Sequence, residues 1–170
     1  MQKTSHNIAN CWLPIISFLI FSLCSMDGVA MSLFSRTDVV LFSPMEGKVT
    51  FEGKPAVNAK IVRTIIWKGD EGETDIFYTA EDGTFKLPIK RAKVRLPLLI
   101  EFVLTQEISV FYNDQEFTFW VRRKHDLGEY GELGGKPKNL RCELTDENVY
   151  IEGFGGTFTT PCKWDSIEKQ

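Results

Sequence analysis

Alternation of apolar and polar residues, cut repeatedly by Gly, Pro, Asn and Asp, is the feature that most restricts what this chain can fold into. From Val57 to Trp67 the odd positions read Val, Ala, Ile, Arg, Ile, Trp, a face broken only at Arg63. A period of two belongs to a half-buried strand, because successive side chains leave opposite faces of the pleat. Residues 106–122 predict a hairpin: Gln106–Tyr112 and Glu116–Arg122 flank a turn at Asn113, Asp114 and Gln115. In the return strand Phe117, Phe119 and Val121 share one face, and Glu116, Thr118, Trp120 and Arg122 the other. Further strands are expected at 74–79, 84–87, 138–144 and 148–154. Residues 93–105 are ambiguous, since Pro97 suits an edge strand or a loop. No segment repeats its apolar residues every 3.6 positions between caps. The expected fold is all-β: a single sandwich of about seven or eight mostly antiparallel strands.

A two-part segment sharpens that expectation. Residues 46–61 read EGKVTFEGKPAVNAKI and residues 79–88 read TAEDGTFKLP. A strand runs into a Gly-Lys-Pro turn, a second strand follows, and an Asp-Gly turn opens another at Phe85. Asp-Gly supplies the positive φ of a tight turn, and Pro55 fixes the backbone ahead of the second strand. This pattern resembles the carboxypeptidase regulatory-like, or transthyretin-like (prealbumin-like), β-sandwich, a fold in the broad manner of immunoglobulin domains. The resemblance covers 46–88 and implies a fold, and in most settings an accessory or binding module rather than an activity. Transthyretin-like hydrolases of purine breakdown carry several histidines and a C-terminal Tyr-Arg-Gly-Ser motif. This chain ends in Pro161-Cys162-Lys163-Trp164-Asp165 and a short polar tail, and has neither.

The first thirty residues read as an export signal. Lys3 and the amino terminus are positive, Trp12–Leu23 is mostly apolar, and Gly28-Val29-Ala30 offers small residues for cleavage before Met31. The apolar run would rise roughly 18 Å as a helix, against a hydrocarbon core of roughly 30 Å. No stable membrane insertion is therefore expected after cleavage. Lipid attachment at Cys24 is the rival, but Leu23 stands where a small residue is normally needed. Residues 31–44 are read as an N-terminal segment and 45–170 as the sandwich domain. Cleavage leaves Cys142 and Cys162 as the mature thiols, and an exported protein most simply joins them. The loop closed is about twenty residues, worth on the order of 3 kcal/mol in the chain-entropy model.

After cleavage nineteen basic side chains face twenty-two acidic ones. That balance argues against nucleic-acid binding, which needs clustered positive charge. Basic residues gather at 90–95 and at Arg122-Arg123-Lys124, each read as a solvated turn or strand end. His125 is the one mature histidine, too few for a zinc site with the cysteine pair, and no Gly-x-Ser-x-Gly elbow accompanies it. Asp70, Glu71, Glu73 and Asp75 lack the spacing of a calcium loop, and the glycines at 153–156 precede no helix. No catalytic residue, cofactor or metal is expected.

Two loops, 68–75 and 124–137, hold charge and glycine that a sandwich core does not explain, and binding surfaces favour such loops. Trp67, Asp70, Glu71, Glu73, Asp75, Glu129 and Tyr130 are accordingly the candidate partner-binding residues, an aromatic anchor with an acidic rim suited to a basic partner. The functional expectation is a non-catalytic, periplasmic or secreted protein-binding module, with an immunity protein that neutralises a toxic effector as its specific form. The alternative is a carbohydrate or surface-polymer binder using Trp67, Trp120, Tyr130 and Trp164 as a stacking platform. An enzyme of unrecognised type stands third.

Overall fold

A computed structural model describes residues 36–67, 72–95 and 102–169, and all the regular structure in them is β. The strands are β1 (Thr37–Phe42), β2 (Met45–Phe51), β3 (Lys54–Pro55), β4 (Lys60–Ile66), β5 (Glu73–Tyr78), β6 (Thr84–Leu87) and β7 (Lys90–Val94). They continue as β8 (Leu104–Tyr112), β9 (Gln115–Lys124), β10 (Lys136–Lys138), β11 (Leu140–Glu143), β12 (Val149–Tyr150), β13 (Phe158–Thr160) and β14 (Ser166–Glu168). The all-β class expected from the alternation is the one that forms, built from more and shorter strands. The ambiguous stretch after β7 falls partly on 96–101, outside the described residues, and the leader at 1–30 lies wholly outside them.

Six strands form one sheet in the order β12-β13-β9-β8-β4-β5. In the second sheet β2 is central, with β11 parallel on one side and β6 and β3 antiparallel on the other. β1–β7 and β10–β14 are separate antiparallel ribbons. The inner faces of the two larger sheets meet through aromatic rings. Phe51 lies 5.7 Å from Tyr112 and 5.8 Å from Phe117, and Phe85 lies 6.1 Å from Phe119. β1 belongs to the same compact unit, which begins at Thr37. Its Val39, Val40, Leu41 and Phe42 are all buried, as a strand covered on both faces requires.

Turn chemistry sets the strand ends. Tyr112 pairs directly with Gln115, so the hairpin closes through Asn113 and Asp114 alone, both at positive φ. Glu52 and Gly53 play the same part between β2 and β3, while Lys54 and Pro55 lie in β3 itself. Gly83 has a φ of 79°, and a Cβ there would sit 2.5 Å from the Val49 carbonyl oxygen. Close approach and backbone hand both demand glycine at that point.

One irregularity reorganises the interior. The β8–β9 register shifts between Ile108↔Trp120 and Ser109↔Thr118, leaving Phe119 as an extra residue in a β-bulge. A bulge re-aims the side chains beyond it. Phe119 and Trp120 are therefore both buried, and Arg122 and Lys124 point inward instead of standing in solvent. Plain alternation predicted Val121 inside and Arg122 outside; the bulge reverses that half of the strand.

Inside, Lys124 has no exposed surface and reaches Glu132 Oε1 at 3.1 Å. The same carboxylate accepts from Gln106 Nε2 at 2.8 Å, Ser43 N at 3.0 Å and Ser43 Oγ at 2.6 Å. Arg122 donates to the carbonyls of Glu132, Arg123, Phe154 and Gly155, so the glycine-rich turn after β12 wraps a guanidinium. Burial pushes the Arg122 pKa below its ordinary value, with Glu132 opposing the shift. Arg63, the break in the β4 face, is also inward. Its guanidinium lies 4.8 Å from the Phe42 ring centre and donates to Asp75 and to the Pro88 carbonyl. Among the described residues no buried side-chain nitrogen or oxygen lacks a partner. That is the condition for burying charge without a large penalty.

Cys142 and Cys162 form a disulfide, with Cα atoms 4.2 Å apart. It ties β11 to the chain beyond β13, beside reciprocal backbone bonds between Arg141 and Lys163.

Candidate functional site

Among the described residues, the acidic candidates of the two loops are drawn into ion pairs. Asp70 and Glu71 lie outside the described residues. Glu73 and Asp75 share the Lys90 ammonium, at 3.1 and 3.0 Å, and Asp75 also receives the Arg63 guanidinium at 2.7 Å. Hydrogen bonds from Trp67 and Lys90 hold the Glu73 pKa below its ordinary value. For Asp75 burial acts upward, but bonds from Arg63 and Lys90 prevail and bring it down. Trp67 is half-buried, 6.1 Å from the Phe102 ring, and donates to Glu73 at 3.0 Å. Glu129 pairs with Arg91 at 2.6 Å. Lys90 and Arg91 are neighbours on β7, so Glu73, Asp75 and Glu129 are all paired with that one strand.

Tyr130 corrects the expectation more sharply. It is 9% exposed and adopts a φ of 57°; its amide donates to Ser43 Oγ and its carbonyl accepts from Leu133 and Gly135. It organises a buried turn and does not stand as a surface anchor. The aromatic platform fails for the same reason: Trp120 has no exposed surface, and Trp164 stacks on Phe158 at 6.3 Å.

A different surface emerges on the outer face of the six-stranded sheet. β5 pairs only with β4 among the described residues, so it is an edge. Thr74, Ile76 and Tyr78 turn outward from it, and Ile76 is 53% and Tyr78 58% exposed. Register sets Ile76 beside Val62, and sets Tyr78 beside Lys60, which in turn lies beside Phe111, 37% exposed. Lys60 Nζ sits 5.3 Å from the Phe111 ring centre. The result is an apolar strip across three strands, with Thr64 and Glu107 on one flank and Glu116 at the end of the Tyr78 row.

The sequence carried a signal for this strip. Ile76, Phe77 and Tyr78 are three consecutive apolar residues, and a strand with one face inside must expose part of such a run. Phe77 packs inward against Arg63, leaving its two neighbours outside.

Residues 45–147 match the model of a family described as Domain of unknown function (DUF6795). The chain belongs to that family. The DUF6795 match spans well over half of the chain and contains every residue of the strip, while Cys162 lies beyond it. Comparisons with curated proteins and with solved structures return no match. No helix among the described residues is long and apolar enough to cross a membrane.

Proposed function

We propose that this protein is an exported, non-catalytic module that docks another protein along β5, on the outer face of the six-stranded sheet. The observation that carries the reading is Ile76 and Tyr78, each more than half exposed on a strand that pairs on one side only among the described residues, with Val62 beside Ile76 and Lys60 then Phe111 continuing the Tyr78 row. Scattered apolar residues are normal on a protein surface, whereas a contiguous strip beside an open edge is the feature that interfaces use. A partner offering an extended segment would continue the β5 hydrogen-bond ladder and cover the exposed side chains in one step. The periplasmic or secreted location is supported by the Cys142–Cys162 bridge, since such bonds persist in oxidising compartments. Neutralisation of a toxic effector is the specific form of this function that a small, stapled sandwich suits.

The test is recovery of partners from extract of the exported fraction, followed by binding kinetics with the purified partner. The variant Ile76→Glu/Tyr78→Glu should fold, by circular dichroism, and dissociate at least about tenfold faster, because two exposed anchors lose their apolar burial. Unchanged kinetics in folded protein defeats the reading. Protection of sensitive cells by the wild type but not by this variant would support the immunity form, and equal protection by both would exclude this surface as its basis.

A further inference from the structure

A second surface has the opposite character. Between the β2–β6–β11 sheet and the β10–β14 ribbon runs an open groove of about 630 Å³. Lys48, Lys86, Lys136, Lys138 and Arg141 line it, against the carboxylates of Glu46 and Glu168. The chain as a whole carries a net charge of −3, so this concentration of cations is local. Lys136 is paired with Glu46, Lys138 with Glu168, and Arg141 with Asp165. Lys48 and Lys86 make no ion pair among the described residues. A neighbouring cavity of about 410 Å³ shares Glu46, Lys86 and Lys136 with the groove and is otherwise lined by Pro44, Met45, Leu87 and Pro88. The groove therefore leads from a cationic floor to an apolar end.

The spacing of the cations selects among anions. Arg141 lies directly beside Lys48 across the parallel β11–β2 pair, and Lys86 pairs with Glu46, two residues before Lys48. Lys86, Lys48 and Arg141 thus step across three strands at roughly 5–8 Å intervals. Same-side residues of an extended peptide recur every 6.6–7 Å or so, a matching repeat. A single phosphate needs several donors converging on one point, and these side chains are spread along a line. Glu46 and Glu168 inside the groove oppose a ligand charged at every unit, but leave room for charges at alternate positions.

We infer that this groove binds an extended acidic segment of a protein, with carboxylates at alternate residues and an apolar residue at one end. The segment's carboxylates meet Lys86, Lys48 and Arg141, and its apolar residue enters the cavity beside Met45 and Leu87. This site is separate from the β5 strip and does not depend on it.

The probe is a fluorescent peptide alternating glutamate and serine after a terminal leucine, titrated into the full-length mature protein at low and at high salt. Binding should be measurable at low salt and weaken as salt rises. It should fall at least about tenfold in Lys48→Glu/Lys86→Glu, two exposed substitutions whose fold is checked by circular dichroism, and stay unchanged in Ile76→Glu/Tyr78→Glu. Absence of binding at low salt overturns the inference, as does equal binding by the lysine variant. Equal or tighter binding of inorganic phosphate, of an all-glutamate peptide, or of phosphatidylglycerol vesicles overturns the alternating-peptide assignment.

Discussion

At the scale of single residues, the hydrogen bonds around Glu143 make a pH-dependent contribution to stability. Its carboxylate accepts from Thr50 Oγ1, the Glu52 and Gly53 amides, and both the amide and hydroxyl of Thr145, clasping the β2–β3 turn to the end of β11. Burial acts to raise the pKa, but the bonds from Thr145, Gly53 and Thr50 outweigh it and bring it down to about 2 from an ordinary 4.5. A folded pKa below the unfolded one stabilises the native state above the unfolded value, and the benefit disappears as pH falls through the folded value. Wild type should therefore lose about 1–2 kcal/mol between pH 4.5 and 2 through this group, after discounting for solvent screening. Denaturant titrations across that window should show a fall in stability that is smaller in Glu143→Gln than in wild type by about that amount, the remainder coming from Glu73, Asp75 and the other paired carboxylates. A second prediction concerns the buried pair. Lys124→Met removes the cationic partner of the buried Glu132 carboxyl, and should cost about 3–5 kcal/mol. Adding Glu132→Gln should cost less than the two single changes summed, because the partners act as a unit. Strict additivity in urea unfolding would contradict that coupling.

At the scale of elements, the disulfide and the Gly83 turn give the clearest tests. Replacing Cys142 and Cys162 by Ser should lower stability by about 2–4 kcal/mol without altering the all-β circular dichroism spectrum. Gly83→Ala meets both a positive φ and the Val49 carbonyl, and should lose more than about 1 kcal/mol in thermal unfolding. These elements were also the ones legible in the chain. Asp82-Gly83 and the β8–β9 hairpin follow from local chemistry, which is visible in a sequence, and the cysteine pair from the expectation that two thiols remain beyond the leader. β1 escaped that reading, which places 31–44 ahead of the sandwich, although Val39-Val40-Leu41-Phe42 is the unbroken apolar run of a strand covered on both faces. What the sequence concealed depended on register. The bulge at Phe119 is a tertiary event, and without it Arg122 and Lys124 read as solvated charge. Glu73, Asp75, Glu129 and Tyr130 looked like a surface rim because their partners, Lys90, Arg91 and Ser43, are distant in the chain.

At the scale of the whole molecule, the described surface carries two patches of opposite character. An apolar strip borders the β5 edge of the larger sheet, and a cationic groove runs over the smaller one. Binding at the strip should respond weakly to salt and change mainly in its dissociation rate, whereas binding at the groove should weaken steeply with salt. The claim that the β5 edge is the docking site is tested most directly by amide hydrogen exchange on the complex with the recovered partner. The account predicts new protection in residues 73–78, which pair with one strand only among the described residues and would gain a second on binding, with smaller changes in 60–66 and 104–112. Protection confined to 124–137 or to the groove, with β5 exchanging as in the free protein, would contradict it.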